Sequence, residues 1–193
     1  MFGNLKNLKI LDLSNNLLSL EAGNNTSSTL PQLQGLYMGS CHIKEFPNFL
    51  RTQDKLQSLD LSNNQIQGHV PSWIWKGTLS FLDLSHNNLS GTIPEESICK
   101  LNSLKIFVAS YNNLSGSIPE CLGNIGTLSV LNLKENSFHG LIPPHFTSAS
   151  CSLKMLNLGV NKLEGQVPKS LANCTTLEIL DLGKNEIFDT YPS

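Results

Sequence analysis

The sequence predicts one α/β solenoid, a right-handed superhelix of about eight stacked coils with a parallel β-sheet on its concave side and short helical turns on its convex side. Three observations support this fold class: a motif that recurs about every 24 residues, a short alternation of apolar and polar residues at the same point of each period, and a glycine-proline segment that follows it. A period of this length, sustained along a whole chain, is typical of repeat architectures.

The recurring motif is Leu-x-x-Leu-x-Leu-x-x-Asn-x-Leu, and neighbouring copies are 23 to 25 residues apart. The copies begin at Leu8, Leu33, Leu56, Leu79, Leu104, Leu128, Leu153 and Leu177. We therefore expect a single domain over residues 1–193.

Each copy contains a short strand pattern. In the third copy, Leu59 and Leu61 flank Asp60, which is the period-2 alternation of a strand with one buried face. The solvent-facing positions of this copy are predicted to be Ser58, Asp60, Ser62 and Asn63. Strands from successive coils would stack into the parallel sheet.

An asparagine column follows the strands. An asparagine that turns inward here would hydrogen-bond backbone groups where the coil bends, and stacked copies would form a ladder. The column is Asn16, Cys41, Asn64, Asn87, Asn112, Asn136, Asn161 and Asn185. Cysteine is a usual substitute at this position of the pattern, so Cys41 is predicted to be a buried free thiol.

Five copies continue into Gly-x-Ile-Pro or Gly-x-Val-Pro. Glycine permits backbone conformations closed to other residues, and proline suits the start of a helical turn. The glycines are Gly68, Gly91, Gly116, Gly140 and Gly165.

The Gly-x-Ile-Pro segments resemble the plant-specific subclass of leucine-rich repeats, which occurs in extracellular receptor kinases, receptor-like proteins and polygalacturonase inhibitors. The stretches 41–56, 70–79 and 163–189 are similar to segments of receptor-like proteins in particular. The resemblance implies the ectodomain of a surface receptor without a kinase, which senses pathogen or developmental signals. It also implies a protein or peptide ligand, a co-receptor kinase as a partner, and a location at the extracellular face of the plasma membrane or in the apoplast.

The sequence shows neither a signal peptide nor a membrane-spanning run, so membrane association is expected only through parts absent from this chain. Terminal caps are also expected to be absent, and an uncapped solenoid exposes apolar edges. We therefore expect an internal stack that is marginally stable or prone to aggregation. A polygalacturonase-inhibitor-like enzyme inhibitor and a truncated product without independent function remain alternatives.

Composition and motifs argue against nucleic-acid binding, membrane binding and enzyme activity. A net charge of −2 provides no attraction to nucleic acid or anionic membranes. No catalytic, cofactor or metal motif is present, so we expect no enzyme activity, no cofactor and no metal. Asp60 and Asp83 could mimic a carboxylate pair, but the repeated Leu-Asp-Leu pattern explains them better.

Four further cysteines and several sequons fit an extracellular protein. A Cys151–Cys174 disulfide is favoured by position, and a Cys99–Cys121 pair is possible but less well aligned; the alternative is four unrelated small buried residues. Candidate glycosylation sites are Asn24, Asn25, Asn88, Asn113 and Asn173.

Ligand-contact candidates are the outward residues that depart from the Asp-Leu-Ser sequence that recurs in several copies. They are Tyr37, His86, Val108, Tyr111, Lys134, Glu135, Val160 and Lys184. Exposed aromatic and apolar residues on a rigid platform are typical ligand anchors. The preferred patch comprises Val108, Tyr111, Lys134, Glu135 and Val160; neutral surface variation is the alternative for any single member.

Overall fold

The computed structural model describes residues 4–18, 30–146 and 151–190. Its main feature is an eight-stranded parallel sheet to which each coil contributes one strand. The strands are β1 (Ile10–Asp12), β2 (Gly35–Tyr37), β3 (Ser58–Asp60), β5 (Phe81–Asp83), β7 (Ile106–Val108), β9 (Val130–Asn132), β11 (Met155–Asn157) and β13 (Ile179–Asp181). They lie in this order across the sheet, so the predicted parallel sheet is confirmed.

A second, six-stranded parallel sheet follows the asparagine column, and the sequence analysis did not anticipate it. Its strands are β4 (Gln67–His69), β6 (Asn88–Thr92), β8 (Asn113–Gly116), β10 (Ser137–Leu141), β12 (Lys162–Gly165) and β14 (Glu186–Ile187). Each of the five glycines of the Gly-x-Ile-Pro segments has a φ between +78° and +84°. Because five of these six strands contain a left-handed glycine and the strands have few β-branched residues, their sequences lack the usual strand signal.

Short helices close the coils on the side away from the eight-stranded sheet. One is the α-helix Glu95–Ile98, and the others are 3-10 helices. The 3-10 helices are Asn48–Thr52, Ser72–Ile74, Glu120–Asn124 and Lys169–Asn173. A proline precedes each helix, as Pro94 precedes Glu95, which confirms the predicted helical turns.

The core lies between the two sheets and the helices. The central strand residues Leu36, Leu82 and Leu156 are fully buried, whereas Leu180 of β13 is 46% exposed. Burial of such leucines is the main favourable contribution to folding.

The asparagine ladder has the geometry expected from the sequence. Asn112 Nδ2 donates to the carbonyl oxygens of Leu84, Ala109 and Ser110, and Asn112 Oδ1 accepts from the Leu89 amide at 2.9 Å. Five further asparagines repeat this pattern, namely Asn64, Asn87, Asn136, Asn161 and Asn185.

The first two positions of the ladder differ from the rest. Among the described residues, Asn16 donates only within its own turn, to the carbonyl oxygens of Leu13 and Ser14. Cys41 is a buried free thiol whose Sγ donates to the carbonyl oxygens of Leu13 at 3.0 Å and Gly39 at 3.5 Å. The thiol thus replaces the donor of an asparagine but does not replace its amide oxygen.

Two disulfides join neighbouring coils. The Cys99–Cys121 Cα atoms are 5.5 Å apart, and the Cys151–Cys174 Cα atoms are 4.9 Å apart. These are the two pairs considered from the sequence, and both Cα distances lie within the usual range for a disulfide.

One sequence-based expectation about exposure is wrong. Ser62 was expected to face solvent, but it is only 9% exposed, and the equivalent Ser85 and Ser110 are also buried. The Ser62 amide donates to Asp60 Oδ1, and a Cβ on Gly39 of the neighbouring coil would lie 3.1 Å from Ser62 Oγ. Because the turn folds the serine back between neighbouring coils, a serine at this position contributes little to a binding surface.

Candidate functional site

The candidate site is the solvent face of the eight-stranded sheet, here called the sheet face. The strands pair in register, so equivalent residues of successive coils lie side by side in columns across the sheet. Neighbouring strands are about 4.8 Å apart. The sheet face therefore presents rows of side chains at a regular spacing on a rigid hydrogen-bonded platform.

The first outward strand position is apolar in five consecutive strands. We call this set the apolar column: Phe81, Ile106, Val130, Met155 and Ile179. The first four are half-buried and Ile179 is 46% exposed. The column crosses four strand intervals, about 19 Å. A continuous apolar strip on an otherwise polar face is typical of an interaction site.

The sequence analysis missed the apolar column. It selected outward residues that depart from the recurring Asp-Leu-Ser sequence, and these residues lie further along the repeat. It did not compare the residue at the first outward position between coils. Comparing Phe81 with Ile106, Val130 and Met155 would have revealed it, because this position is Ser58 and Gly35 in earlier coils.

The second outward position carries Asp or Asn in six coils, and its main role is local. Asp60 Oδ1 accepts from the Ser62 amide at 2.8 Å, and Asn132 Oδ1 accepts from the Lys134 amide at 3.1 Å. Four more coils make the same bond, through Asp12, Asp83, Asn157 and Asp181. Tyr37 and Val108 replace this residue in the two remaining coils.

Asp60 and Asp83 occupy this position on adjacent strands and pair in register. Burial raises the pKa of the Asp83 carboxyl, hydrogen bonds from Ser85 lower it, and the nearby Asp60 charge raises it further. The pKa of Asp12, by contrast, is lowered by its hydrogen bonds from Ser14. Asp83 thus lies in an environment where a positive charge would be stabilising.

The residue before each ladder position has a left-handed backbone, and we call this set the left-handed column. Its φ angles lie between 51° and 59°. Its members are Asn15, Ser40, Asn63, His86, Tyr111, Glu135, Val160 and Lys184. Five of the eight ligand-contact candidates belong to this column, and Val160 is the β-branched member.

The structure brings the preferred patch together on adjacent coils. Val108 lies in β7, Lys134 and Glu135 follow β9, and Val160 follows β11. Tyr111, which follows β7, stacks on His86 with ring centroids 4.2 Å apart. The remaining two candidates, Tyr37 and Lys184, lie towards opposite ends of the sheet. That these residues contact a ligand remains a proposal.

Lys134 reaches across one coil to a partner in the next. Its Nζ lies 3.5 Å from Asp181 Oδ2, and both side chains are about one-third exposed. The intervening coil has Gly159 here, where a Cβ would lie 2.8 Å from both Asp181 carboxylate oxygens. The absence of a side chain at Gly159 therefore lets this exposed ion pair form.

A shallow cleft of about 440 Å³ borders the sheet face where the strands end. It is lined by Lys44, Asn64, Gln65, Gln67, His86, Asn87 and Asn88. Three sequon asparagines are exposed: Asn88 at this cleft, Asn113 at the start of β8, and Asn173 at the end of a 3-10 helix. Asn24 and Asn25 lie outside the described residues.

Comparison with known families identifies the repeat. The family model described as Leucine Rich Repeat matches residues 7–31, 55–76, 78–101, 103–125, 127–149 and 152–174. These segments make up more than half of the chain, so the protein belongs to the leucine-rich-repeat family. The coils of β2 and β13 fall outside the match but complete the same sheet.

The relatives with similar sequences are receptor-like proteins, as expected from the sequence. Receptor-like protein 34 of Arabidopsis thaliana is 49% identical over 72 residues, which cover 36% of this chain and 8% of that protein. Receptor like protein 23 of the same organism is 42% identical over 76 residues, covering 39% of this chain and 8% of that protein. The chain thus matches a small part of the length of these relatives.

Solved structures extend the likeness to nearly the whole chain. The ectodomain of the Arabidopsis thaliana membrane receptor kinase GASSHO1/SCHENGEN3, in complex with CASPARIAN STRIP INTEGRITY FACTOR 2, is 36% identical with a TM-score of 0.84. The peptide hormone receptor RGFR1 in complex with RGF2 is 30% identical with a TM-score of 0.79. Both matches cover 96% of this chain, but only 22% and 37% of the respective receptors.

A third solved structure includes a co-receptor. The Arabidopsis receptor kinase HAESA, in complex with the peptide hormone IDA and the co-receptor SERK1, is 29% identical with a TM-score of 0.69; the match covers 93% of this chain and 34% of HAESA. The chain is therefore similar to plant receptor ectodomains. Among the helices within the described residues, none is long and apolar enough to cross a membrane.

Proposed function

We propose that this chain is an extracellular recognition module of a plant receptor-like protein that binds an extended peptide, or an extended segment of a protein, on the sheet face. The observation that carries the proposal is the apolar column from Phe81 to Ile179. These side chains lie in register on five neighbouring strands and remain partly accessible.

Polar groups beside the apolar column support the same function. Ligand sites combine apolar surface with a few fixed polar groups that orient the ligand. Here Asp60, Asp83 and Asn132 are held by bonds to their own turns, so their side chains are ordered before a ligand arrives. Such preorganisation reduces the entropic cost of binding.

The likeness to receptor complexes supports a peptide rather than a small molecule. The solved neighbours GASSHO1/SCHENGEN3, RGFR1 and HAESA are each described in complex with a peptide or factor, and HAESA also with a co-receptor. A co-receptor kinase as a second partner, and a role in defence or development, belong to the same proposal. The proposal includes no catalytic reaction.

Extracellular placement is supported by the two disulfides, Cys99–Cys121 and Cys151–Cys174, because disulfides persist in oxidising compartments. Glycosylation at exposed Asn88, Asn113 and Asn173 fits the same placement. Treatment of secreted protein with a glycosidase, followed by mass spectrometry, measures which asparagines are modified.

A display library of random nine-residue peptides tests the recognition function. We expect the library to yield peptides that bind the immobilised protein and lose binding to the Val130→Glu variant, because a charge in the middle of the apolar column would oppose burial of apolar ligand groups. The matched control is Glu164→Val on β12 of the second sheet, which should leave binding unchanged.

Circular dichroism and thermal unfolding establish that the Val130→Glu variant retains its fold. If no selected peptide distinguishes the parent from this folded variant, the sheet face is not the recognition surface.

A further inference from the structure

We propose that an N-linked glycan on Asn88 folds into the shallow cleft beside the sheet face, where its first sugars contact polar side chains of the two preceding coils. The cleft is then filled by a covalently attached part of the protein, and the glycan forms one edge of the recognition surface. This inference rests on the glycosylation and extracellular placement proposed above, and it adds a defined binding place for one particular glycan.

The cleft spans three successive coils at the border between the two sheets. Its volume of about 440 Å³ lies within the range of small-molecule sites. The side chains of the two ladder asparagines in its wall are engaged in bonds within the ladder. The other lining residues, in coil order, are Lys44, Gln65, Gln67, His86 and Asn88. These five side chains therefore determine what the cleft can hold.

The chemistry of these side chains fits a saccharide. Gln65 and Gln67 are exposed amides, which both donate and accept hydrogen bonds, as sugar hydroxyl groups do. Lys44 is an exposed donor, and none of the lining residues is acidic or apolar. Within residues 4–18, 30–146 and 151–190, these three side chains form no hydrogen bond or ion pair with the rest of the protein. They are therefore free to bond a sugar.

The sequon supplies the occupant of the cleft. Asn88, Leu89 and Ser90 form an N-glycosylation sequon at the start of β6, and Asn88 is exposed in the wall of the cleft. A glycan is bulky, and here it begins inside the cleft, so its contacts with the glutamines are intramolecular. Covalent attachment raises the effective concentration of a group to about the millimolar range. Hydrogen bonds too weak to hold a free sugar are therefore sufficient.

Asn113 provides an internal comparison, because it begins β8 as Asn88 begins β6 and directly follows a ladder asparagine in the same way. The neighbouring coils offer less to a glycan at Asn113. Counted from the ladder, Ser90 takes the place of Gln67, and Gln67 takes the place of Lys44. A glycan on Asn113 thus meets no cation and a shorter side chain, and we expect it to remain in solvent.

A glycan in the cleft also limits the sheet face. His86 lines the cleft, and its ring stacks on Tyr111 with centroids 4.2 Å apart. Because Tyr111 covers one face of the His86 ring, a sugar in the cleft can reach the edge or the other face. The glycan would then cover one of the ligand-contact candidates, and the surface left for a ligand begins at Tyr111 and extends towards β13.

The experiment uses the full chain secreted from plant cells behind a cleavable signal peptide. Acetylation with a reactive ester, followed by mass spectrometry, measures how fast each lysine amine is modified. The parent protein is compared with Asn88→Gln, which removes the glycan but keeps the bond from the backbone amide of this residue to the Ile66 carbonyl oxygen. Asn113→Gln is the matched control, and exposed Lys154 is the reference lysine.

We expect Lys44 to be acetylated about fivefold more slowly in the parent than in Asn88→Gln, because a few hydrogen bonds hold the glycan over its amine. The rate at Lys154 should be the same in both proteins. Asn113→Gln should leave the rate at Lys44 as slow as in the parent.

A second variant separates specific contact from crowding by a nearby glycan. Gln65→Ala combined with Gln67→Ala keeps both the glycan and Lys44 but removes the two exposed amides that hold the first sugars. The rate at Lys44 should rise towards that of Asn88→Gln.

The control for this double variant changes the equivalent positions in the coil of β12. Lys162→Ala combined with Glu164→Ala also truncates two exposed side chains, one and three residues after a ladder asparagine. This control should leave the rate at Lys44 unchanged.

Equal rates at Lys44 in the parent and in Asn88→Gln, in protein that mass spectrometry shows to carry the Asn88 glycan, would overturn this inference while leaving glycosylation and peptide recognition intact. Protection that persists in the double alanine variant would overturn the contact with the glutamines. Absence of a glycan on Asn88 would overturn the inference together with the proposed modification of this residue. Peptide recognition is tested separately, by the library and Val130→Glu.

Discussion

At the scale of single residues, the left-handed column shows how one backbone conformation serves different side chains. Asn15 and Asn63 adopt it at little cost, because asparagine tolerates a positive φ. Val160 has a φ of 58°, and a β-branched side chain is strained there. The strain lies on the candidate binding face rather than in the core.

Val160→Asn should stabilise the protein by about 0.5–1.5 kcal/mol, because it removes this strain. Urea unfolding followed by circular dichroism measures the change in the free energy of unfolding. The control is Val130→Asn in the extended strand β9, which relieves no such strain and should not stabilise. A loss of stability in Val160→Asn would show that packing of the valine outweighs its backbone cost.

The ladder asparagines should be much more sensitive than other asparagines. Asn112→Ala removes a side chain that bonds the Leu84, Ala109 and Ser110 carbonyls and the Leu89 amide. Leaving such groups without partners should cost at least about 2 kcal/mol, measured by the same urea unfolding. Exposed Asn102→Ala is the control and should change stability by less than about 0.5 kcal/mol. If the two substitutions changed the free energy of unfolding equally, the ladder asparagine would contribute no more to stability than an exposed asparagine.

The raised pKa of Asp83 predicts a pH dependence with a defined sign. Because the folded pKa lies above the ordinary carboxyl value, the folded state holds the proton more tightly than the unfolded state. The contribution of Asp83 to stability therefore decreases as the pH rises through the window that begins just above the ordinary carboxyl pKa. Asp60 strengthens this effect and His86 opposes it.

Asp83→Asn should accordingly gain stability relative to the parent between pH 4 and pH 7. Thermal unfolding at both pH values measures this difference. A difference between the two proteins that does not change with pH would show that the carboxyl has the same pKa in the folded and unfolded states.

At the scale of elements, the short helices pack closely against the neighbouring coil. Gly123, in the 3-10 helix Glu120–Asn124, is buried, and a Cβ there would lie 2.2 Å from the His145 carbonyl oxygen. A threonine hydroxyl adds a further link between coils: Thr127 Oγ1 donates to the Leu104 carbonyl oxygen at 2.8 Å. Thr78 and Thr176 do the same in their coils.

Gly123→Ala should therefore destabilise the protein by about 1–3 kcal/mol, because backbone must move to admit the methyl group. Gly77→Ala is the matched control, since the nearest atom to its Cβ would be the Lys100 carbonyl oxygen at 3.8 Å. Chemical unfolding of both variants provides the measurement, and equal stability of the two would contradict the close approach.

The elements also show where sequence reasoning succeeds and where it does not. The strands carrying Leu59 and Leu82 follow from their period-2 pattern, and the bonds of Asn112 follow from its place in the repeat. The second sheet was missed because strands such as β4 contain Gly68 and no buried side chain. The apolar column was missed because register between strands, not pattern within one, brings Phe81 beside Ile106. Contacts between coils, such as the close approach of Gly123 to the His145 carbonyl oxygen, leave no pattern in the sequence of a single repeat.

At the scale of the whole molecule, several large apolar side chains are exposed. Leu17 is 85% exposed, Phe188 is 68% exposed and Leu180 is 46% exposed. Exposed apolar surface of this kind favours association. We expect the 193-residue chain to associate increasingly with concentration, as the sequence analysis anticipated for this stack.

Leu180→Ser combined with Phe188→Ser should reduce that association several-fold at equal concentration. Size-exclusion chromatography with light scattering measures the mass distribution. Leu141→Ser, which removes another exposed leucine on the second sheet, is the control and should have a smaller effect. A monomeric parent with a sharp reversible melt would contradict the expectation.

The backbone bonds that hold the left-handed column have a consequence for how such a protein can diversify. The amides of His86, Tyr111 and Glu135 donate to the carbonyl oxygens of Ser110, Lys134 and Gly159 in the following coil. The conformation is therefore held by the main chain of neighbouring coils, whichever side chain is present. If this face binds a ligand as proposed, a single codon change at one of these positions would alter what it recognises while the scaffold is inherited unchanged, so new specificities would arise one coil at a time.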